Sequence, residues 1–187
     1  MKVLTLHPVE NHYHLVHPEE FHHLTADDSA LAVFTDFKKH IPQSVMYDLP
    51  AIHAESQMRK AHVRMQVVVD HDGELVGAIS LNDLGEQNFI QAFQQEGLKR
   101  DEVRVKDLMI PKNKLQTLDY SELSNANIQN ILDTLQQNYQ QHCLVTDSSQ
   151  GQIRGLISAA DIARRLHIAI EIEKPTSFYD ICMAIRH

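Results

Sequence analysis

The chain has 187 residues, 43% of them hydrophobic, which is enough for one full core or two small ones and too few for several independent domains. A formal charge of −8 leaves no basic surface for phosphate backbones or anionic lipid, so neither nucleic acid nor membrane is an expected partner. No run of about 18 apolar residues occurs, and MKVLTLHPVENHYH lacks the apolar core and small-residue cleavage site of an export signal, so a cytoplasmic protein with Cys143 and Cys182 as reduced thiols is expected.

Residues 1–27 form an arm carrying six of the thirteen histidines, His7, His12, His14, His17, His22 and His23, beside Glu19 and Glu20. Imidazoles and carboxylates are metal-ligand types, but no pair has the H-E-x-x-H spacing and HPEEFH misses the inverted form by one residue. A polar arm without a metal site is expected.

SALAVFTDF (29–37) then leads to IHAESQMRKA (52–61), a helix candidate with Ile52, Met58 and Ala61 near one face. MQVVVD (65–70) and LVGAIS (75–80) read as strands joined by the hairpin HDGE. FIQAFQQEGLKRDE (89–102) reads as a helical connector, with Phe89, Ile90 and Phe93 at helical spacing and Gly97 as its stop. VKDLMIP (105–111) precedes NANIQNILDTLQQ (125–137), whose Ile128, Ile131, Leu132 and Leu135 mark one helix face. HCLVTD (142–147) and IRGLIS (153–158) flank a second hairpin, SSQGQ, and AADIARRLH (159–167) is a short helix with Ile162, Ala163 and Leu166 on one side. The tail has a half-exposed strand pattern, HIAIEIE (167–173), and a helix candidate, PTSFYDICMAI (175–185).

These elements repeat. GELVGAISLNDL (73–84) and GQIRGLISAADI (151–162) share Gly73/Gly151, Gly77/Gly155, Ile79/Ile157, Ser80/Ser158 and Asp83/Asp161, and 29–37 matches 105–111 about 75 residues on. The units run from 28 to 97, including the connector, and from 98 to 170, with 171–187 as a tail. A repeat too short to close its own core is expected to pack on its copy.

The shared residues suggest chemistry. Gly77 and Gly155, in strands that lead to helix starts, would let a ligand approach the backbone, and free N–H groups of a first helical turn favour phosphate. Ser80 or Ser158 adds a hydroxyl donor, and Asp83 or Asp161 offers two acceptor oxygens suited to the vicinal hydroxyls of a ribose. The same Ser-x-x-Asp pattern is also a capping box, in which serine caps the helix and the acid reaches back to the cap N–H. Both readings stand at this point.

The pair VVVD-HDGELVGAISLNDL and LVTD-SSQGQIRGLISAADI resembles the tandem CBS domain. VFTDF and DLMIP sit where that family has Met-Thr, and GLKRDEVRVKDLMIP with QQHCLVTD resembles small stand-alone bacterial CBS-pair proteins. The likeness spans roughly residues 28–170. It implies an α/β (α+β) fold of duplicated β-α-β-β-α units in a pseudo-twofold pair, forming a homodimer, with the arm and the strand-helix tail outside the units. The implied function is a regulatory sensor, not an enzyme, holding an adenosine derivative such as AMP, ADP, ATP or S-adenosylmethionine between the units. The family's motif G-hydrophobic-hydrophobic-(Ser/Thr)-x-x-Asp stands at residues 77–83 and 155–161. Gln66 and Cys143 replace a frequent proline, Phe34 and Ile110 replace members of Met-Thr, and all four positions by analogy line the base pocket.

Two more residues are candidates for that ligand site. Arg64 would meet a phosphate or stack on a base, or else pair with a local acid. His142, at a strand start, would hydrogen-bond the ligand or simply pack. No G-x-S-x-G occurs, so no catalytic residue is assigned. No cofactor is required, and an adenine nucleotide is the expected ligand. Any regulated protein would be a separate polypeptide. The alternative function is a ligand-free interaction scaffold in which both Ser-x-x-Asp boxes are only caps.

Overall fold

The computed structural model describes residues 24–166, so the expected arm is outside it up to residue 23, as are the tail strand and helix and Cys182. A short 3-10 turn, Ala30–Val33, capped by the Ser29 hydroxyl, leads into β1 (Thr35–Asp36). Then come β2 (Ser44–Met46), α1 (Ala51–Lys60), β3 (Met65–Val69), β4 (Leu75–Ser80) and α2 (Glu86–Glu96). The second half repeats the order with α3 (Val105–Leu108), β5 (Ile110–Pro111), β6 (Thr117–Asp119), α4 (Tyr120–Ser124), α5 (Ile128–Gln137), β7 (His142–Asp147), β8 (Gln152–Ser158) and α6 (Ala159–Leu166).

The hairpins form where the repeated Asp and Gly predict them. The Asp70 carboxylate accepts from the N–H groups of Asp72 and Glu74 at 3.0 and 2.9 Å, and Gly73 takes φ +82°, a conformation in which a β-carbon would be strained. Gly151 holds the same place in the second hairpin at φ +62°.

Two four-stranded sheets result, in the orders β2-β3-β4-β5 and β1-β8-β7-β6. Within each, one pair is parallel (β2 with β3, β6 with β7) across a helical crossover, and the remaining neighbours are antiparallel. The lead-in strands are exchanged. β1 precedes the first unit yet pairs with β8 of the second, and β5 precedes the second yet pairs with β4 of the first.

The cores follow the same exchange. Val103 and Val105 are fully buried with Ala51, Ala54, Met58, Val68 and Ile79, whereas Ala30 and Val33 join Leu123, Ile128, Ile131, Leu135, Val145 and Ile157. Backbone hydrogen bonds tie the crossings, with the Ala51 N–H on the Val103 carbonyl and the Ala30 N–H on that of Ala126, each at 2.9 Å. The boundary at residues 97 and 98 thus separates the repeats in sequence but not the cores, because each lead-in completes the other unit.

Two helix faces differ from the sequence expectation. In α1 the buried stripe is Ala51, Ala54 and Met58, with Ile52 half-buried against the same core and Ala61 exposed beyond the helix end. In α2 the buried residues are Phe89 and Ala92, while Ile90 and Phe93 face outward. Gly97 ends α2 in the left-handed conformation, as its placement predicts.

Candidate ligand clefts

Where β4 and β8 run out, the chain turns toward the other unit and leaves two clefts. The first lies between Ser80, Asn82 and Asp83 on one side and Gln116, Tyr139 and Gln141 on the other. The second lies between Ser158, Asp161 and Arg164 and the opposing Gln43, His62 and Arg64. Met65 and His142, equivalent residues at the starts of β3 and β7, line both clefts and form their common wall.

In the first cleft the capping box forms. Asp83 Oδ2 accepts from the Ser80 N–H at 2.8 Å and from the Ser80 hydroxyl at 2.6 Å. The helix does not continue from it, since residues 81–85 make a turn and Gly85 caps α2. Asn88 Nδ2 holds that turn by donating to the Asp83 carbonyl at 2.9 Å. Across the mouth, Asn82 Nδ2 donates to Gln141 Oε1 at 3.1 Å, a direct bond between the units.

The second cleft is built differently on the same plan. Ser158 leads straight into α6, and its buried hydroxyl oxygen accepts only a long bond, 3.4 Å, from the Asp161 N–H. The Asp161 carboxylate turns outward to Arg164 instead of back to the serine. Arg64 is exposed at the cleft, and its guanidinium has no hydrogen bond or ion pair among the described residues. His142 is half-buried between the clefts. Burial pushes its pKa down, with Arg64 acting in the same direction and Asp161 and Asp83 opposing.

The motif is therefore gathered as the repeat predicts: Ser80 and Asp83 in one cleft, Ser158 and Asp161 in the other, with Arg64 in the second and His142 in both. Gly77 and Gly155 are corrected, because they line neither cleft. A β-carbon on Gly77 would stand 2.5 Å from the Ile110 carbonyl oxygen, and one on Gly155 would stand 2.2 Å from that of Thr35. What approaches the glycine backbone is the exchanged lead-in strand and not a ligand.

Gln66 and Cys143 likewise line neither cleft. Gln66 is 5% exposed, on the opposite strand face from cleft-lining Met65 and Val67, and Cys143 packs against the second core with its thiol pKa pushed up by burial. Sequence reading missed His62 and Tyr139. Both hold positive φ, 54° and 53°, just after α1 and α5, and each lines one cleft. Their signal was positional: each stands three residues before a repeated strand.

Among the described residues no group of three or more His, Cys, Asp or Glu side chains is placed to hold a metal ion, and no helix is long and apolar enough to cross a membrane. Residues 35–85 match the CBS domain. An uncharacterised conserved protein from Pyrococcus horikoshii aligns with 80% of this chain and 100% of its own at TM-score 0.55 and 19% identity. A conserved CBS domain protein of unknown function from Thermoplasma acidophilum aligns over 82% of this chain and 77% of its own at TM-score 0.50 and 22% identity. CBSX2, a CBS-pair protein from Arabidopsis thaliana, in its complex with AMP, aligns over 73% and 94% at TM-score 0.52 and 19% identity. No curated protein matches the chain.

Proposed function

We propose that this protein, which carries a CBS domain in a two-unit CBS-pair fold, is a regulatory module that senses an adenosine derivative in the clefts between its units without transforming it. The observation that carries the reading is the composition of the second cleft. Phe37, Ile41 and Pro42 offer an apolar wall for a purine, while Ser158, Asp161 and Arg64 offer a hydroxyl, a carboxylate and a cation for sugar and phosphate. AMP bound to a protein of the same fold supports it.

A ligand spanning such a cleft touches both units, so it favours whichever arrangement of them it binds better, and the change is passed to a separate regulated polypeptide in the cytoplasm. The test is isothermal titration of the full chain with AMP, ADP, ATP and S-adenosylmethionine, on wild type and on Asp83→Ala and Asp161→Ala. Micromolar or tighter binding of one of them, weakened by Asp161→Ala, is expected. No heat from any of the four overturns the reading.

The ligand-free scaffold remains as a second reading because the Ser80–Asp83 box satisfies both side chains with no ligand. On that reading Asp83→Asn costs about 1 kcal/mol of stability and leaves every binding measurement unchanged.

A further inference from the structure

We infer that the two clefts are not equivalent: the second takes a phosphorylated adenosine through Arg64, and the first is bridged shut against the same ligand by Asn82 and Gln141. This rests on the sensor reading above and deepens it to the ligand's charge and place.

The clefts differ at positions that the repeat makes equivalent. Arg64 and Gln141 both stand immediately before a strand start, β3 or β7, and Ala160 and Asn82 both follow the motif serine by two residues. In the first cleft this pair is Asn82 and Gln141, hydrogen-bonded at 3.1 Å across the mouth. In the second it is Ala160 and Arg64, which among the described residues leaves the mouth without a bridge and the guanidinium without an acceptor.

The motif hydroxyls differ in the same sense. That of Ser80 is already donated to Asp83 at 2.6 Å, whereas that of Ser158, 7% exposed, has no acceptor among the described residues. A buried donor without an acceptor is satisfied by a phosphate or sugar oxygen arriving in the cleft. Among the described residues the Asp161 carboxylate is held only by Arg164, whose side chain is 74% exposed, so exchanging that surface pair for a ribose diol costs little. Charge agrees with this assignment. Arg64 and Arg164 face the second cleft against the single carboxylate of Asp161, an excess of one positive charge, whereas the first has Lys114 balanced by Asp83.

The experiment is titration of the full chain with AMP and with adenosine, on wild type, Arg64→Gln, and the double variant Asn82→Ala with Gln141→Arg. The double variant writes the second cleft's residues into the first. Expected are one AMP per wild-type chain, adenosine weaker by about tenfold or more, and an Arg64→Gln variant that loses about that factor for AMP and nothing for adenosine. The double variant takes two AMP per chain. Two AMP per wild-type chain, or AMP affinity unchanged in Arg64→Gln, overturns the inference and leaves the sensor reading standing. Failure of both adenosine and AMP to bind wild type overturns the inference, and the sensor reading falls with it only where ADP, ATP and S-adenosylmethionine give no heat either. Arg64 is exposed, so its loss is not expected to unfold the protein, and an unchanged melting temperature verifies this.

Discussion

The carbonyl oxygen of Thr35 lies 2.2 Å from the point where a β-carbon on Gly155 would stand, although the two residues are 120 positions apart in the chain. The Phe34 ring closes on the same point at 2.3 Å. β1 thus crosses β8 at backbone contact distance, and only glycine admits it. Gly77 admits β5 in the same way, with the Ile110 carbonyl at 2.5 Å and the Met109 sulfur at 2.8 Å.

Gly155→Ala is therefore expected to destabilise the protein by about 1–3 kcal/mol, the usual cost of overpacking. Gly77→Ala should cost less, because one of its two nearest neighbours is the far end of a methionine. Urea unfolding measures both. Should Gly155→Ala unfold within about 0.5 kcal/mol of wild type, the normal range for an unconstrained surface change, the crossing is looser than described.

That pair of glycines shows what sequence could and could not reveal. Their recurrence was plain, but the strand that covers each comes from the other repeat, and spacing carries no information about a partner so distant. The hairpins were legible because Asp70 and Gly73 act on their own neighbours. α5 was legible because Ile128, Ile131 and Leu135 form one unbroken stripe. α1 was less so, since its contact is made by alanines that a hydrophobic pattern underweights. The serines and aspartates were found as a motif, while the Asn82–Gln141 bridge was invisible because both residues read as ordinary surface amides.

Acid stability should depend on Asp36. Arg154 Nε and Nη2 donate to its two carboxylate oxygens, each at 2.9 Å, and the guanidinium lies 4.5 Å from the centre of the Tyr120 ring. This fork fixes β1 to β8, and the Arg154 hydrogen bonds hold the Asp36 pKa at about 2 against an ordinary 3.8. Because the folded value lies below the unfolded one, the unfolded chain binds the proton first. The contribution is therefore complete above about pH 4 and disappears as pH falls toward 2. Asp36→Asn should cost on the order of 1–2 kcal/mol at pH 7 and flatten the acid limb of the stability curve. Urea titrations at pH 7, 4 and 3 decide it: a variant limb parallel to wild type would refute the assignment.

His142 acts at milder pH. Its imidazole sits on the wall common to both clefts, and burial, reinforced by Arg64, sets its pKa below the ordinary 6.5 despite Asp161 and Asp83. The unfolded state again takes the proton first, so stability should decline as pH drops below about 6.5. His142→Gln should remove that part of the decline. A proton NMR titration in which the His142 ring moves at or above its ordinary pH would contradict the placement.

Gln66 offers a gain in stability. It is 5% exposed in the middle of the first sheet, and its carbonyl oxygen Oε1 has no hydrogen-bond partner among the described residues. A buried acceptor without a donor costs about 1–3 kcal/mol. The equivalent position in the second sheet is Cys143, which tolerates apolar surroundings and packs against that core. Methionine has nearly the shape of glutamine and carries no amide, so Gln66→Met should stabilise by about 1 kcal/mol, raising the melting temperature by roughly 2–4 °C for a chain of this size. Calorimetric melting tests it. A lower melting temperature for the variant would mean that the bare carbonyl is not a net cost to the fold.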